Sequence, residues 1–249
     1  MSEHEKFKRE CADEITSMGN DHELAAATRS WMDRANRAKY SYHFEWMGRP
    51  VIQYPQDVLA LQEIIWSVKP DLVIETGIAH GGSLILSASI LELNAISGGP
   101  QDAHVLGIDI DIRAHNRAAI EAHPLARRIS TIEGSSVAPE VISAVRARAA
   151  GKRSVLVILD SNHTHEHVLA ELEAYADLTT VGSYCIVFDT VIEDMPEDAF
   201  IDRPWGRGNN AKTAAWDFLK RHPEFEIDKS IQNKLLITVA PDGYLKRIR

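Results

Sequence analysis

Cysteine is scarce in this chain: Cys11 and Cys185 are the only two in 249 residues, and they lie far apart. That count excludes a disulfide framework and makes a reducing cytoplasm the expected compartment. Cys185 stands inside the apolar run Tyr184-Cys185-Ile186-Val187-Phe188, where it reads as a small core residue. Positive charge is also in deficit, with 27 Lys and Arg against 36 Asp and Glu. The resulting net charge of −9 leaves no electrostatic footprint for a nucleic acid. No apolar run approaches the roughly 20 residues of a membrane span. The opening Met1-Ser2-Glu3-His4-Glu5-Lys6 is charged and lacks the core of a signal peptide. There is no Gly-Lys-Ser/Thr, which excludes a P-loop, and there are no internal repeats. What remains fits one α/β domain, with 45% apolar residues to fill its core.

Residues 1–40 are polar and helix-prone, and are expected to form one or two helices over the main domain. The stretch Tyr40-Ser41-Tyr42-His43-Phe44-Glu45-Trp46-Met47-Gly48-Arg49-Pro50 follows, rich in aromatics and broken by Gly and Pro. Its rings are either core plugs or the wall of a pocket. A helix is expected over 57–68, with Asp57 as N-cap. The division is therefore 1–56, a segment covering the site, and 57–249, the main domain.

From residue 72 the pattern becomes strand, helix, strand, helix. Apolar runs stand at 72–76, 104–108, 129–132, 154–159 and 183–188. Helical patterns separate them at 83–93, 113–122, 137–149, 165–177 and 209–221. Continuous apolar strands alternating with helices predict a mostly parallel sheet covered on both faces. At the end, Phe225–Asp228 and Leu235–Val239 read as a closing antiparallel pair.

Ligands of open α/β sheets bind beyond the carboxyl ends of the strands. Those ends carry Glu75, Asp109, Glu133, Asp160 and Asp189. One such acid is as readily a helix cap, but several on one rim suggest a shared task. The first strand leads into Glu75-Thr76-Gly77-Ile78-Ala79-His80-Gly81-Gly82-Ser83, a glycine-rich turn at a helix start, which presents bare N–H groups to a ligand. The dinucleotide fingerprint fits poorly, because the glycines are misplaced and Glu75 would repel a pyrophosphate. A cationic cofactor would be attracted instead.

The acid-x-glycine turn at Glu75 and Gly77, Asp109 on the next strand, Ser135 and Ser136 on the third, and the closing strand pair resemble the class I S-adenosylmethionine-dependent methyltransferases. The resemblance implies a Rossmann-like seven-stranded sheet with an antiparallel final strand. It also implies cofactor contacts from Glu75, Gly77, Ala79, Gly81, Ser83, Asp109, Ser135, Ser136 and Asp160. More narrowly, Trp46-Met47-Gly48-Arg49-Pro50, Gln53-Tyr54-Pro55-Gln56-Asp57, the glycine turn, Arg203-Pro204-Trp205-Gly206 with Gly208-Asn209-Asn210, and Asn233-Lys234-Leu235-Leu236-Ile237-Thr238 resemble the cephalosporin hydroxylase family. That family is similar to metal-dependent sugar and antibiotic O-methyltransferases. It implies Mg²⁺ held by Asp160 and Asp189, with His163 as general base. Relatives carry a carboxylate or amide beside the second aspartate; here the neighbours are Phe188 and Thr190, and only Thr190 has an oxygen to offer.

The expected activity is O-methylation of a hydroxyl on a small polar metabolite, with S-adenosylmethionine and Mg²⁺ as cofactors. The alternatives are an oxygenase, for which His43-x-Glu45 offers a matching spacing, and a non-catalytic cofactor-binding member. No nucleic acid or membrane partner is expected, and the N-terminal helices suggest a homo-oligomer. His163, His165 and His167 alternate where a helix begins, so they do not converge on zinc; His165 and His167 read as residues that cap or solvate that helix. His80 is equally a ligand contact or a structural residue.

Overall fold

The computed structural model describes residues 1–249. Two helices come first, α1 (Glu3–Gly19) and α2 (His22–Arg37). The first starts on a capping box between Ser2 and Glu5, and the second on the Asp21 side chain. A short hairpin, β1 (Phe44–Trp46) and β2 (Arg49–Val51), turns through Met47 and Gly48. Both turn residues have positive φ, as a tight hairpin requires. The main domain runs α3 (Pro55–Val68), β3 (Leu72–Thr76), α4 (Gly82–Ile96), β4 (His104–Asp109), α5 (Ala114–Glu121), β5 (Ile129–Glu133), α6 (Pro139–Ala149), β6 (Val155–Leu159) and α7 (His165–Tyr175). It closes with β7 (Tyr184–Val187), α8 (Ala211–Leu219), β8 (Phe225–Ile227), α9 (Lys229–Leu235) and β9 (Tyr244–Arg247).

Seven strands form one sheet in the order β5-β4-β3-β6-β7-β9-β8. The first five are parallel, and β9 runs antiparallel to both β7 and β8. Every residue of β3 and β6 is buried, because helices cover both faces. One core layer joins Leu61, Ile65, Leu84 and Ile85 of α3 and α4 to the sheet. The other joins Val145, Leu172 and Phe218 of α6, α7 and α8 to the opposite face. Each such side chain contributes about 1.5–3 kcal/mol by leaving water. Chain order reverses between β3 and β6, which opens a crevice beyond their carboxyl ends.

Two expectations need correction. Leu235–Val239 is not a strand. Its first residue ends α9, Leu236 takes a positive φ, and the rest forms a loop on the Asp57 carboxylate. The antiparallel partner of 225–227 is instead Tyr244–Arg247. Asp57 does not cap α3 either. The helix starts earlier, at Pro55 with Tyr54 as N-cap, so Asp57 falls in the first turn, fully buried. An apolar run of five residues looks the same whether it pairs in a sheet or plugs a core.

Candidate active site

The crevice at the strand reversal opens into a cavity of about 710 Å³. Its floor is the β3–α4 turn. Gly77 has φ +87, and a Cβ there would lie 2.0 Å from the Asp160 carbonyl oxygen, so the two strand ends touch because this residue is glycine. The turn is braced by Asp109, whose Oδ2 accepts from the N–H groups of Ile78 at 2.8 Å and Ala79 at 3.3 Å. Gly82 lets α4 press against the Pro50 carbonyl, which fixes the hairpin over the helix start.

Most of the sequence-predicted residues meet at this cavity. Gly77, Ala79, Ser83, Asp109, Ser135, Ser136, Asp160, His163 and Asp189 line it, together with His80. Glu75 and Gly81 do not. Glu75 lies beneath the floor, 2% exposed, with Oε1 accepting from the Ser83 hydroxyl and Oε2 without a partner. Burial drives its pKa up to about 7, and the Ser83 hydrogen bond opposes that rise. Glu133 turns away to an ion pair with Arg117. Thr190 is buried, and its hydroxyl donates to the Pro241 carbonyl at 2.7 Å.

Asp160, His163 and Asp189 bring one ligand atom each to within 4.8 Å of one another. The His163 Nε2 lies 3.0 Å from Asp189 Oδ2. Burial alone would lower the His163 pKa, but the Asp189 carboxylate outweighs it and the imidazole sits above its ordinary value. Asp160 is held well above the usual carboxylate range by burial first, then by Asp189, Glu75 and Glu171. The Gln53 amide N–H, 3.1 Å from Asp160 Oδ2, partly offsets this. Two carboxylates and an imidazole suit a divalent cation. The surplus of buried negative charge suits a cationic ligand in general: Glu75 Oε2, Gln53 Oε1 and Glu171 Oε2 are all buried acceptors with no donor.

Three contributors escaped the sequence reading. Gln53 is buried against Asp160. Glu171 is buried one helical turn below His167 and accepts from the Ser161 hydroxyl at 2.7 Å. His167 is a correction: it does not merely solvate a helix start but lines the cavity, its Nε2 3.1 Å from the hydroxyls of both Ser136 and Ser161. The i, i+4 spacing of His167 and Glu171 was a usable signal. His165 packs on Thr213, as a structural residue would.

A second cavity of about 290 Å³ shares Tyr42, Ile52, His163, Asp189, Arg203 and Trp205 with the first. The N-terminal segment lines it with Asn36, Tyr42 and Tyr54, and the loop after β7 with Ile192, Met195 and Phe200. Trp205 sets its ring edge against His163, centroids 4.8 Å apart, and Arg203 stacks on Trp205 at 5.4 Å. The aromatic stretch therefore serves both roles foreseen for it: Tyr42 is wall, whereas Trp46 plugs the core and donates to Ser89 Oγ at 3.0 Å.

A seven-stranded sheet in this order, with an acid-glycine turn at its switch point, defines the fold of the class I methyltransferases. Residues 38–248 match the family described as Rhamnosyl O-methyltransferase/CmcI, and the chain belongs to that family. It is 30% identical over 208 residues to a rhamnosyl O-methyltransferase of Mycobacterium leprae, covering 81% of this chain and 82% of that one. A rhamnosyl O-methyltransferase of Mycobacterium bovis is 31% identical over 209 residues, covering 81% and 77%. Among solved structures, a CmcI complex with Mg and SAM superposes with a TM-score of 0.56 at 19% identity, over 84% of this chain and 78% of that one. An apo form of CmcI gives 0.56 at 20%, over 84% and 77%. At such identities these two structures speak for the fold.

Proposed function

We propose that this chain is an S-adenosylmethionine-dependent O-methyltransferase acting on a hydroxyl of a small polar acceptor, a sugar or a sugar-bearing natural product. The carrying observation is the union, in one crevice, of the glycine turn over a buried acid with the Asp160–His163–Asp189 cluster. The family relatives named as rhamnosyl O-methyltransferases support the sugar acceptor.

In this reading the larger cavity takes the methyl donor. The β3–α4 turn, which Asp109 braces, receives its amino-acid end against Gly77, Ala79 and Ser83, Asp109 faces its ribose hydroxyls, and Ser135, Ser136 and His167 line the adenine end. Glu75 acts from below the floor, as a buried acid that favours the sulfonium charge. Asp160 and Asp189 would hold Mg²⁺, which when bound lowers the pKa of an acceptor hydroxyl and orients it. His163 accepts the hydroxyl proton, and Asp189 orients its ring. The acceptor oxygen forms its bond to the methyl carbon while the carbon–sulfur bond breaks, and S-adenosylhomocysteine leaves. Residues 1–56 wall the smaller cavity, which is half apolar and admits the acceptor's body. Most of the rate enhancement is positioning.

The proximity of three donor atoms favours one variant, in which His163 is a third cation ligand. Two measurements test these readings. Transfer of a labelled methyl group from S-adenosylmethionine into a panel of glycosides, with and without EDTA, is expected to show cation-dependent product; absence of any S-adenosylmethionine binding refutes the whole assignment. Mn²⁺ binding by His163→Ala separates the two roles: retained affinity with lost turnover marks a base, and lost affinity marks a ligand.

A further inference from the structure

Asp57 has no place in the chemistry above, yet it is fully buried, and the Thr238–Val239 loop and Tyr244 of β9 converge on it. Its Oδ1 accepts from the hydroxyls of Thr238 and Tyr244, the latter at 2.7 Å, and its Oδ2 accepts from the Val239 N–H at 2.9 Å. The Thr238 hydroxyl oxygen in turn accepts from the Ala240 N–H at 3.0 Å. The carboxylate thus gathers both ends of the loop between α9 and β9. Charge buried at this depth carries a desolvation cost that an apolar residue would avoid, so its retention calls for a reason beyond filling space.

That loop holds the end of β7. The Val239 carbonyl accepts from the Val191 N–H at 3.1 Å, the Pro241 carbonyl from the Thr190 hydroxyl at 2.7 Å, and the Gly243 carbonyl from the Val187 N–H at 2.8 Å. These bonds bracket Asp189 on both sides. Asp189 itself stands at φ +55, a left-handed conformation that a non-glycine residue adopts only where its surroundings over-determine it. Aspartate tolerates this conformation better than most residues, and the bonds on either side of it hold the turn in place.

We infer that Asp57 is a positioning residue for Asp189, acting through the Thr238–Gly243 loop to fix the carboxylate that faces His163 and Asp160. The inference rests on reading Asp189 as a cation ligand. It explains why the Leu-Leu-Ile-Thr-Val run is withheld from the sheet: Thr238 and Val239 are needed as donors to Asp57, and Val239 is needed as an acceptor for Val191. It also assigns Thr190 a role without any ligation, as the clip that ties the Asp189 turn to Pro241.

The test uses the full chain with Thr238→Val, which removes one hydroxyl at nearly constant volume, Asp57→Asn, and a control, Tyr184→Phe. The control deletes a partly buried hydrogen bond, from the Tyr184 hydroxyl to Asp228 at 2.8 Å, at the opposite end of β7 from Asp189. Mn²⁺ affinity, S-adenosylhomocysteine affinity and Tm are measured for each. Orienting partners of metal ligands alter metal affinity by about 10- to 100-fold. The expected result is a loss of about 10-fold in Mn²⁺ affinity for Thr238→Val, with S-adenosylhomocysteine affinity within about 2-fold of wild type. Tyr184→Phe is expected to lower Tm and leave Mn²⁺ affinity unchanged. Equal Mn²⁺ affinity in wild type and Thr238→Val, or losses that track Tm across all variants including the control, overturn the inference. If Asp57→Asn does not fold, Thr238→Val decides. If wild type takes up no Mn²⁺, the cation reading has failed separately, and a crystal structure of Thr238→Val then decides: the 3.0 Å His163–Asp189 contact is expected to be lost, and its retention overturns the inference.

Discussion

Glu75 is ionised at high pH in a place that resists ionisation, and replacing it with glutamine should expose that tension. Its pKa moves from 4.5 to about 7 on folding because burial penalises the charged form more than the Ser83 hydroxyl helps it. Each pKa unit represents about 1.4 kcal/mol. For an acid raised by folding, the folded chain binds the extra proton between the two values, so stability falls as pH climbs from 4.5 to about 7 and is flat above. At about pH 8 the ionised carboxylate therefore costs the ligand-free protein about 3 kcal/mol. Glu75→Gln removes this cost but leaves an amide N–H₂ where Oε2 has no partner, a penalty of about 1–2 kcal/mol. The net gain is about 1–2 kcal/mol, a Tm rise of about 2–8 °C for a chain of this size. The assay is thermal denaturation of ligand-free wild type and Glu75→Gln at about pH 8 and about pH 4.5. At the lower pH the folded wild type keeps its proton, so the advantage should vanish or reverse. S-adenosylmethionine affinity should fall in the variant by more than that of uncharged-sulfur S-adenosylhomocysteine. A stability gain that is equal at both pH values, or a variant less stable than wild type at about pH 8, refutes the argument.

Other outcomes follow from the same geometry. In the metal-free protein His163 should titrate above the ordinary histidine value of 6.5, because Asp189 holds it charged; followed by NMR, Asp189→Asn should lower that midpoint, and an unmoved midpoint would remove Asp189 as the partner that sets the state of His163. Gly77→Ala places a methyl group against the Asp160 carbonyl and should destabilise by more than about 2 kcal/mol with loss of S-adenosylhomocysteine binding, whereas Gly98→Ala, with the same sign of φ but open space, should cost only about 1 kcal/mol of backbone strain; equal losses in urea melts would mean that close approach at Gly77 is unimportant. Asp160→Asn should remove its own burial cost and its repulsion with Asp189, Glu75 and Glu171 and raise Tm near neutral pH while abolishing Mn²⁺ uptake, and a variant that binds Mn²⁺ normally would exclude Asp160 as a ligand.

The parallel strands and their covering helices were legible along the chain, because strand 72–76 and helix 83–93 are set by local apolar pattern and a glycine turn. The rim was legible for a related reason. Residues at strand ends share one edge in any parallel sheet, so Asp109, Asp160 and Asp189 could be placed together before any coordinates were known. His163 was found by its offset from Asp160. Glu75 was expected to face the ligand from the strand end, and alternation along a strand does not reveal that its carboxylate sinks beneath the turn.

What the sequence determined by itself is thus the alternation of parallel strands and helices and the inventory of acids at the strand ends, since these show as local pattern repeated along the chain. Only the tertiary structure decided the strand pairing of residues 244–247, the recruitment of Gln53, His167 and Glu171, and the αL backbone of Asp189. Those features depend on partners that only the fold brings together, some of them more than a hundred residues apart, such as Asp57 with Thr238 and Gln53 with Asp160. No local propensity encodes them, because each becomes favourable only once burial has removed water as the competing hydrogen-bond partner.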